Sequence, residues 1–258
     1  MTEADIELLS RTKSGTLCGA LMRRYWQPAA LSAELGRDKP LAVTLFGEDL
    51  VLFRDGDGRA ALIGRYCAHQ GVDMIYGRVE PNGLRCMYHG WLFDNCGRVV
   101  LRGDWLPEKE RRWDVGQPAY PVFETGGMIF TYMSAGEPPG LPGGEMLANL
   151  AAEDIVTKEL YSENYLRRMA EISEAAPDGA SFVMPNILAW DGTKSGSPSW
   201  LRWHVPVDDS AHVEFTLRYD GGLPFSGLPP ASSYQSLLAA IETIRAEPQI
   251  TVALGEQK

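Results

Sequence analysis

Four side chains able to bind metal sit in two short and similar stretches: Cys67-Ala68-His69 and, after sixteen intervening residues, Cys86-Met87-Tyr88-His89. Each stretch offers one thiolate and one imidazole, so a pair of sulfide-bridged irons can take both thiolates on one iron and both imidazoles on the other. A diferric core with four thiolates carries about −2, and exchanging two of them for neutral imidazoles brings it to about 0, which eases reduction. The same residues also form a tetrahedral zinc set, although zinc fingers usually pair Cys with Cys and His with His. Here each pair is mixed.

Such donors need loops held between strands. Residues 41–46, 50–53 and 60–63 are short apolar or alternating runs, bounded by Gly47-Glu48-Asp49 and Asp55-Gly56-Asp57-Gly58, which are hairpin signals. Cys67 follows the run 62–66 and Cys86 follows Gly83-Leu84-Arg85, with further strand-like runs at 91–93, 98–101 and 128–132. Upstream, residues 5–26 are predicted helical with a break at Ser14-Gly15. Gly71, Gly83 and Gly90 flank the two loops and would let the backbone close and aim amides at sulfur, while Tyr88 and Trp91 would limit water there.

A net charge of −10, from 34 acidic and 24 basic residues, argues against non-specific nucleic-acid binding and suits solubility or docking to a basic partner. No run reaches the roughly 18 apolar residues that cross a bilayer, and the start of the chain lacks a secretory pattern, so a cytoplasmic address without membrane contact is expected. Four Cys do not make a disulfide scaffold. Cys18 reads as a small buried hydrophobe in a helix and Cys96 as a turn residue.

Beyond the ligand loops, the stretches 21–28, Gly47 to Val51, Gly90-Trp91-Leu92-Phe93, Gly97-Arg98 and Ala119-Tyr120-Pro121 resemble the large subunits of Rieske non-haem iron ring-hydroxylating oxygenases, the phthalate-dioxygenase type above all. The likeness runs through roughly the first 165 residues and resumes at 182–188 and 200–209. It implies an α+β chain: an all-β Rieske domain with an N-terminal helical segment (1–138), a Pro/Gly linker (139–147) and a shortened antiparallel-sheet catalytic-type domain (148–258). It also implies a 2Fe-2S cluster on Cys67, His69, Cys86 and His89, a reductase or ferredoxin as electron donor, and assembly as a trimer. Respiratory-chain Rieske proteins carry an extra Cys in each loop; Val72 and Met87 or Tyr88 stand there instead, which favours the oxygenase or ferredoxin class.

Complete relatives hold a mononuclear Fe(II) on two His and a carboxylate and oxidise an aromatic or similar carboxylated substrate. Residues 156–166 look like the approach to the helix that carries these ligands, yet no His follows Leu166 until His204, so the helix is expected to be missing. A natural shortened paralogue, a defective gene product and an incomplete sequence are the alternatives. A rebuilt site would need His204 and His212, on strands joined by a turn at 207–211, with Glu214 or Asp208 as carboxylate. Further strands are expected at 155–160, 181–187, 201–207 and 213–219, and a helix at 233–244 whose Glu242, like Glu247, faces solvent. Three roles follow: electron transfer alone, a complete oxygenase, or a non-catalytic partner of a full-length paralogue.

Overall fold

The computed structural model describes residues 2–102, 115–150, 155–175, 180–219 and 232–247. The chain divides into two units: a loop unit, Ala29–Thr44 with Asp49–Tyr132, and a sheet unit, Met1–Pro28 with Leu45–Glu48 and the chain from Met133 onward.

In the loop unit, alternating apolar residues and glycine turns produce short strands: β1 (Gln27–Leu31), β2 (Leu41–Leu45), β3 (Glu48–Arg54), β4 (Ala60–Gly64), β5 (Arg78–Glu80), β6 (Gly83–Arg85), β7 (Leu92–Phe93), β8 (Val99–Leu101), β9 (Ala119–Tyr120), β10 (Val122–Thr125) and β11 (Met128–Thr131). They form three sheets, ordered β1-β11-β10, β2-β3-β4-β9 and β5-β6-β7-β8. Val51, Phe53, Ala61, Ile63, Met74, Leu84, Trp91 and Phe93 make one buried core, and Cys67 and Cys86 are part of it. Each large apolar side chain removed from water there contributes about 1.5–3 kcal/mol. The thiols are therefore anchored by the same packing that holds the unit together.

The sheet unit contains α1 (Glu3–Ser10), α2 (Leu17–Met22), α3 (Gly144–Ala148), β12 (Ile155–Tyr161), α4 (Tyr165–Ala175), β13 (Ser181–Val183), β14 (Ile187–Trp190), β15 (Ser199–Pro206), β16 (His212–Tyr219) and α5 (Tyr234–Arg245). Its strands form one antiparallel sheet in the order β12-β16-β15-β14-β13. The architecture is α+β, as expected. The N-terminal helices, which the sequence parse attaches to the first domain, group with the sheet unit. The reason is packing: α2 buries Leu17, Cys18, Leu21 and Met22 and meets α5, and the Tyr165 hydroxyl donates to the Leu9 carbonyl at 2.8 Å. Cys18 lies 3.6 Å from that hydroxyl, and burial pushes its thiol up to about 12.

Three local expectations need correction. The run 181–187 is not one strand but β13 and β14 joined by Met184-Pro185-Asn186, because proline has no amide to continue a ladder. A helix does follow the approach segment: α4 starts at Tyr165, with the Asn164 side chain accepting from the Leu166 amide at 3.0 Å. It contains no His. Glu247 lies past the end of α5, where it forms a bidentate pair with Arg24 (2.7 Å for Nη1 to Oε1), whereas Glu242 is exposed beside Arg245. The expectations for 176–179, 220–231 and 248–258 fall outside the described residues. Among the described residues no helix is long and apolar enough to cross a membrane.

Asn164 also donates through Nδ2 to the carbonyls of Ser10 (3.0 Å) and Asp209 (2.8 Å), so one amide caps α4 and ties it to two other segments. Asn164→Ala should lower stability by about 1–2 kcal/mol, the range for loss of a helix cap. The urea unfolding midpoint checks this, and an unchanged midpoint would refute the assigned role.

Candidate functional site

The two metal-binding stretches fold into the same backbone frame. The Cys67 amide donates to the Val72 carbonyl (2.8 Å) and the Gly71 amide to the Cys67 carbonyl (2.7 Å); the Cys86 amide donates to Trp91 (2.8 Å) and the Gly90 amide to Cys86 (3.1 Å). Gly71 and Gly90 occupy equivalent places at φ +71° and +70°, the left-handed region that costs a side chain dearly. The first loop follows β4 and is closed at its base by the bridge Tyr66↔Asp73, and the second lies between β6 and β7.

Inside this frame the four donors converge. Cys67 and Cys86 are buried and hydrogen-bonded to each other, and the His69 and His89 rings meet edge to face at 4.7 Å. The Cys67 thiol, as donor to Cys86 and by burial, is pushed up; Cys86 is drawn down to about 6 by accepting that bond, against burial, helped by amides of Tyr88 and His89. Amides of His69 and Gln70 likewise donate to the Cys67 sulfur. Each sulfur thus has two backbone N–H groups aimed at it, the arrangement that stabilises thiolate. The donor set fits a cluster needing two thiolates and two imidazoles. Trp91, fully buried, stacks on His69 at 4.5 Å, as a water-excluding wall should. Tyr88 differs from expectation: its ring covers His89 at 3.9 Å but is 59% exposed.

Compared with known protein families, residues 25–108 match the Rieske 2Fe-2S domain. This chain carries a Rieske domain. It is related to oxygenase subunits: 45% identical over 150 residues to the phenoxybenzoate dioxygenase subunit alpha of Ectopseudomonas oleovorans (57% of this chain, 36% of the relative), and 34% identical over 224 residues to the phthalate 4,5-dioxygenase oxygenase subunit of Pseudomonas putida (82% and 48%). The chain spans about half or less of the length of these relatives. Among solved structures, the terminal oxygenase of carbazole 1,9a-dioxygenase from Novosphingobium sp. KA1 superposes with TM-score 0.63 at 17% identity, covering 98% of this chain and 92% of that one. Dicamba monooxygenase does so with TM-score 0.60 at 18% identity (92% and 90%). At such identities the likeness is one of fold.

The Rieske loops are braced by ion pairs that the motif does not announce. Arg65 grips Asp73 (Nη2 to Oδ2 2.7 Å) across the base of the first loop. Arg85 is held bidentate by Glu80 (2.6 and 2.7 Å) and donates through Nη1 to the Gly90 carbonyl at 2.6 Å. The Arg85 guanidinium, with Arg78 beside it, holds the Glu80 carboxyl down to about 2. The only trace of these braces in the sequence is opposite charges placed next to apolar strand residues.

In the sheet unit the structure brings His204 and His212 together, though not directly opposite. His204 pairs with Glu214 and Pro206 with His212, so the two imidazoles are diagonal neighbours, 3.4 Å apart between Nδ1 of His204 and Nε2 of His212. Both are fully buried. Burial, then His212 and the guanidiniums of Arg202 and Arg168, push His204 well below its ordinary value; burial also lowers His212. Glu214, rather than Asp208, joins them, with Oε2 at 3.7 Å from His204 Nδ1. Asp208 instead caps its own turn, accepting from the Ser210 and Ala211 amides. Since α4 carries no His, the helix ligands that the oxygenase resemblance implies for a mononuclear iron do not fit this chain.

No neighbouring atom lies within 4 Å of a Cβ built on Gly71, and the nearest to one on Gly90 is Arg85 Nη1 at 3.8 Å, so the glycines are needed for conformation, not space. Gly90→Ala should cost about 1–2 kcal/mol, the left-handed penalty, and weaken cluster retention. Iron content after repeated desalting checks it.

Because Glu80 is held below its ordinary 4.5, its contribution is present above that value and lost as pH falls towards about 2. The drop in unfolding midpoint over this acid window should be smaller in Glu80→Gln than in the unaltered chain. An identical drop would remove Glu80 from the account.

Proposed function

We propose that this chain is a Rieske electron-transfer protein of the ring-hydroxylating oxygenase type, in which Cys67, His69, Cys86 and His89 ligate the 2Fe-2S cluster and single electrons arrive from a reductase or ferredoxin. The observation that carries this reading is the pair of loops with one backbone frame, each presenting a buried thiol and an imidazole. When bound, the cluster supplies a one-electron carrier whose potential depends on its ligands and on hydrogen bonds to sulfur. The chain's own residues tune and shelter it. Amides of His69, Gln70, Tyr88 and His89 donate to the cysteine sulfurs, and Trp91 keeps water from the His69 side.

Large apolar side chains exposed in or beside the loops, namely Tyr66, Tyr76, Met87 and Tyr88, suit the docking of an electron donor. Oxygenases of similar fold have been solved in complex with a ferredoxin, which supports the same kind of partner here. In this reading the loop unit corresponds to the Rieske domain, the sheet unit with its N-terminal helices corresponds to the shortened catalytic-type domain, and a trimer is the proposed assembly. The described cysteines are all free, in keeping with a reducing cytoplasm. Without the implied helix ligands, electron transfer is the surviving role, and oxidation of an aromatic carboxylate is left to a complete relative.

Protein dialysed against a chelator should contain iron and acid-labile sulfide in equal amounts, show visible absorption and be reduced one electron at a time. Cys67→Ser or His89→Ala should lose colour and iron together; retention of both would refute the ligand assignment. With a reductase present, the chain alone should show no substrate-dependent O2 uptake.

A further inference from the structure

One face of the sheet is built from Leu201, Trp203 and Val205 of β15 with Val213, Phe215 and Leu217 of β16. The opposite face carries Arg202, His204, His212 and Glu214, and its centre is equally shut from water: His204 and His212 are fully buried and Glu214 is 5% exposed. Buried polar atoms normally find partners. Here the Glu214 Oε2 and the His204 Nε2 have no hydrogen bond.

We propose that His204 Nδ1, His212 Nε2 and Glu214 Oε2 form a site for a divalent transition metal, built on two neighbouring strands and not on the helix that the oxygenase resemblance implies. The candidate ligand atoms of these residues lie within 4.8 Å of one another, with the 3.4 Å and 3.7 Å separations given above. Two atoms each about 2.0–2.1 Å from one ion at a tetrahedral angle stand roughly 3.3 Å apart, so the two gaps at His204 need close by only a few tenths of an ångström, while the gap between His212 and Glu214 is bounded by 4.8 Å and closes by rotation of the carboxylate. His212 is preset for the task. Its Nδ1 lies 2.8 Å from the Glu163 carbonyl, which must accept a proton from it, and this leaves the Nε2 lone pair towards His204. Thr216 donates to Glu214 Oε1 at 3.0 Å, which orients the carboxylate and keeps Oε2 as the outstanding acceptor.

Two guanidiniums stand close, Arg168 Nε at 3.6 Å and Arg202 Nη1 at 3.7 Å from Glu214 oxygens, and they oppose a cation. Arg168 is also turned towards the Tyr161 hydroxyl, to which it donates at 3.2 Å, and that hydroxyl donates to Glu159 at 2.6 Å. The donor set of two imidazoles and one carboxylate selects a borderline ion such as Fe(II), Co(II) or Zn(II) over Mg(II) or Ca(II). Three protein ligands leave a coordination position open, where the arginines would favour an anion such as a carboxylate.

The site does not depend on the Rieske assignment, and the test keeps the two apart. The full chain with its cluster loaded is equilibrated with Co(II), desalted, and assayed for cobalt, iron and sulfide. One cobalt per chain is expected, falling more than about tenfold in Glu214→Gln and His212→Gln with iron and sulfide unchanged. Cys67→Ser should lose iron and sulfide while keeping cobalt. X-ray absorption at the cobalt edge of the unaltered chain gives a second readout that needs no variant: a nitrogen and oxygen shell with imidazole scattering supports the site, and sulfur in the shell refutes it. Failure of the unaltered chain to retain cobalt, or equal retention by both sheet variants, would also overturn the proposal.

Discussion

Two backbone hydrogen bonds, made twice, set the terms for everything in the loop unit. In each loop the cysteine amide reaches a carbonyl five residues on, and a glycine amide four residues on returns to the cysteine carbonyl. That closure turns a strand end into a cup, and a cup can point amides inward at sulfur. Without it the two thiols would be ordinary buried cysteines in a core. With it, the core residues around Trp91 and Phe93 become the rear wall of a redox site, and packing energy is spent on fixing donor positions.

The loops share a frame but not a spacing. His69 stands two residues after its cysteine and His89 three, so the imidazoles leave equivalent cups at different points and still meet edge to face. Trp91 stacks on one ring and Tyr88 tilts over the other, giving one side a dry wall and the other a lid open to solvent. Salt bridges at the loop bases hold this asymmetry in place, Arg65 with Asp73 and Arg85 with Glu80. Each guanidinium is tied to a carboxylate on nearby strand or turn backbone, which restricts its motion without burying an unpaired charge.

Much of this was legible in the residues. Mixed Cys and His pairs, the hairpin glycines and the break at Ser14-Gly15 are local signals, and local signals survive folding. What escaped was set by register and by distant partners. The turn at 207–211 brings His204 and His212 near each other on paired strands, but the ladder makes Glu214 the residue opposite His204, and only that register chooses Glu214 over Asp208. Pro185 sits within an apolar run that its missing amide turns into a hairpin. The helix from Tyr165 carries no His to mark it as the ligand helix that the resemblance implies, although Asn164 is an ordinary cap signal. The N-terminal helices gave no hint of which unit would bury them, since an apolar stripe names no partner.

The sheet with two buried faces of opposite character also guards its own pairing. Sliding β16 by one residue against β15 would turn Glu214 and His212 towards the aliphatic side and deliver Val213 and Phe215 to the guanidiniums. A strand with one wet face tolerates such errors more readily. Here charge buried on one side and hydrocarbon on the other make the neighbouring registers both costly, so the chemistry-bearing residues double as an alignment mark for the fold.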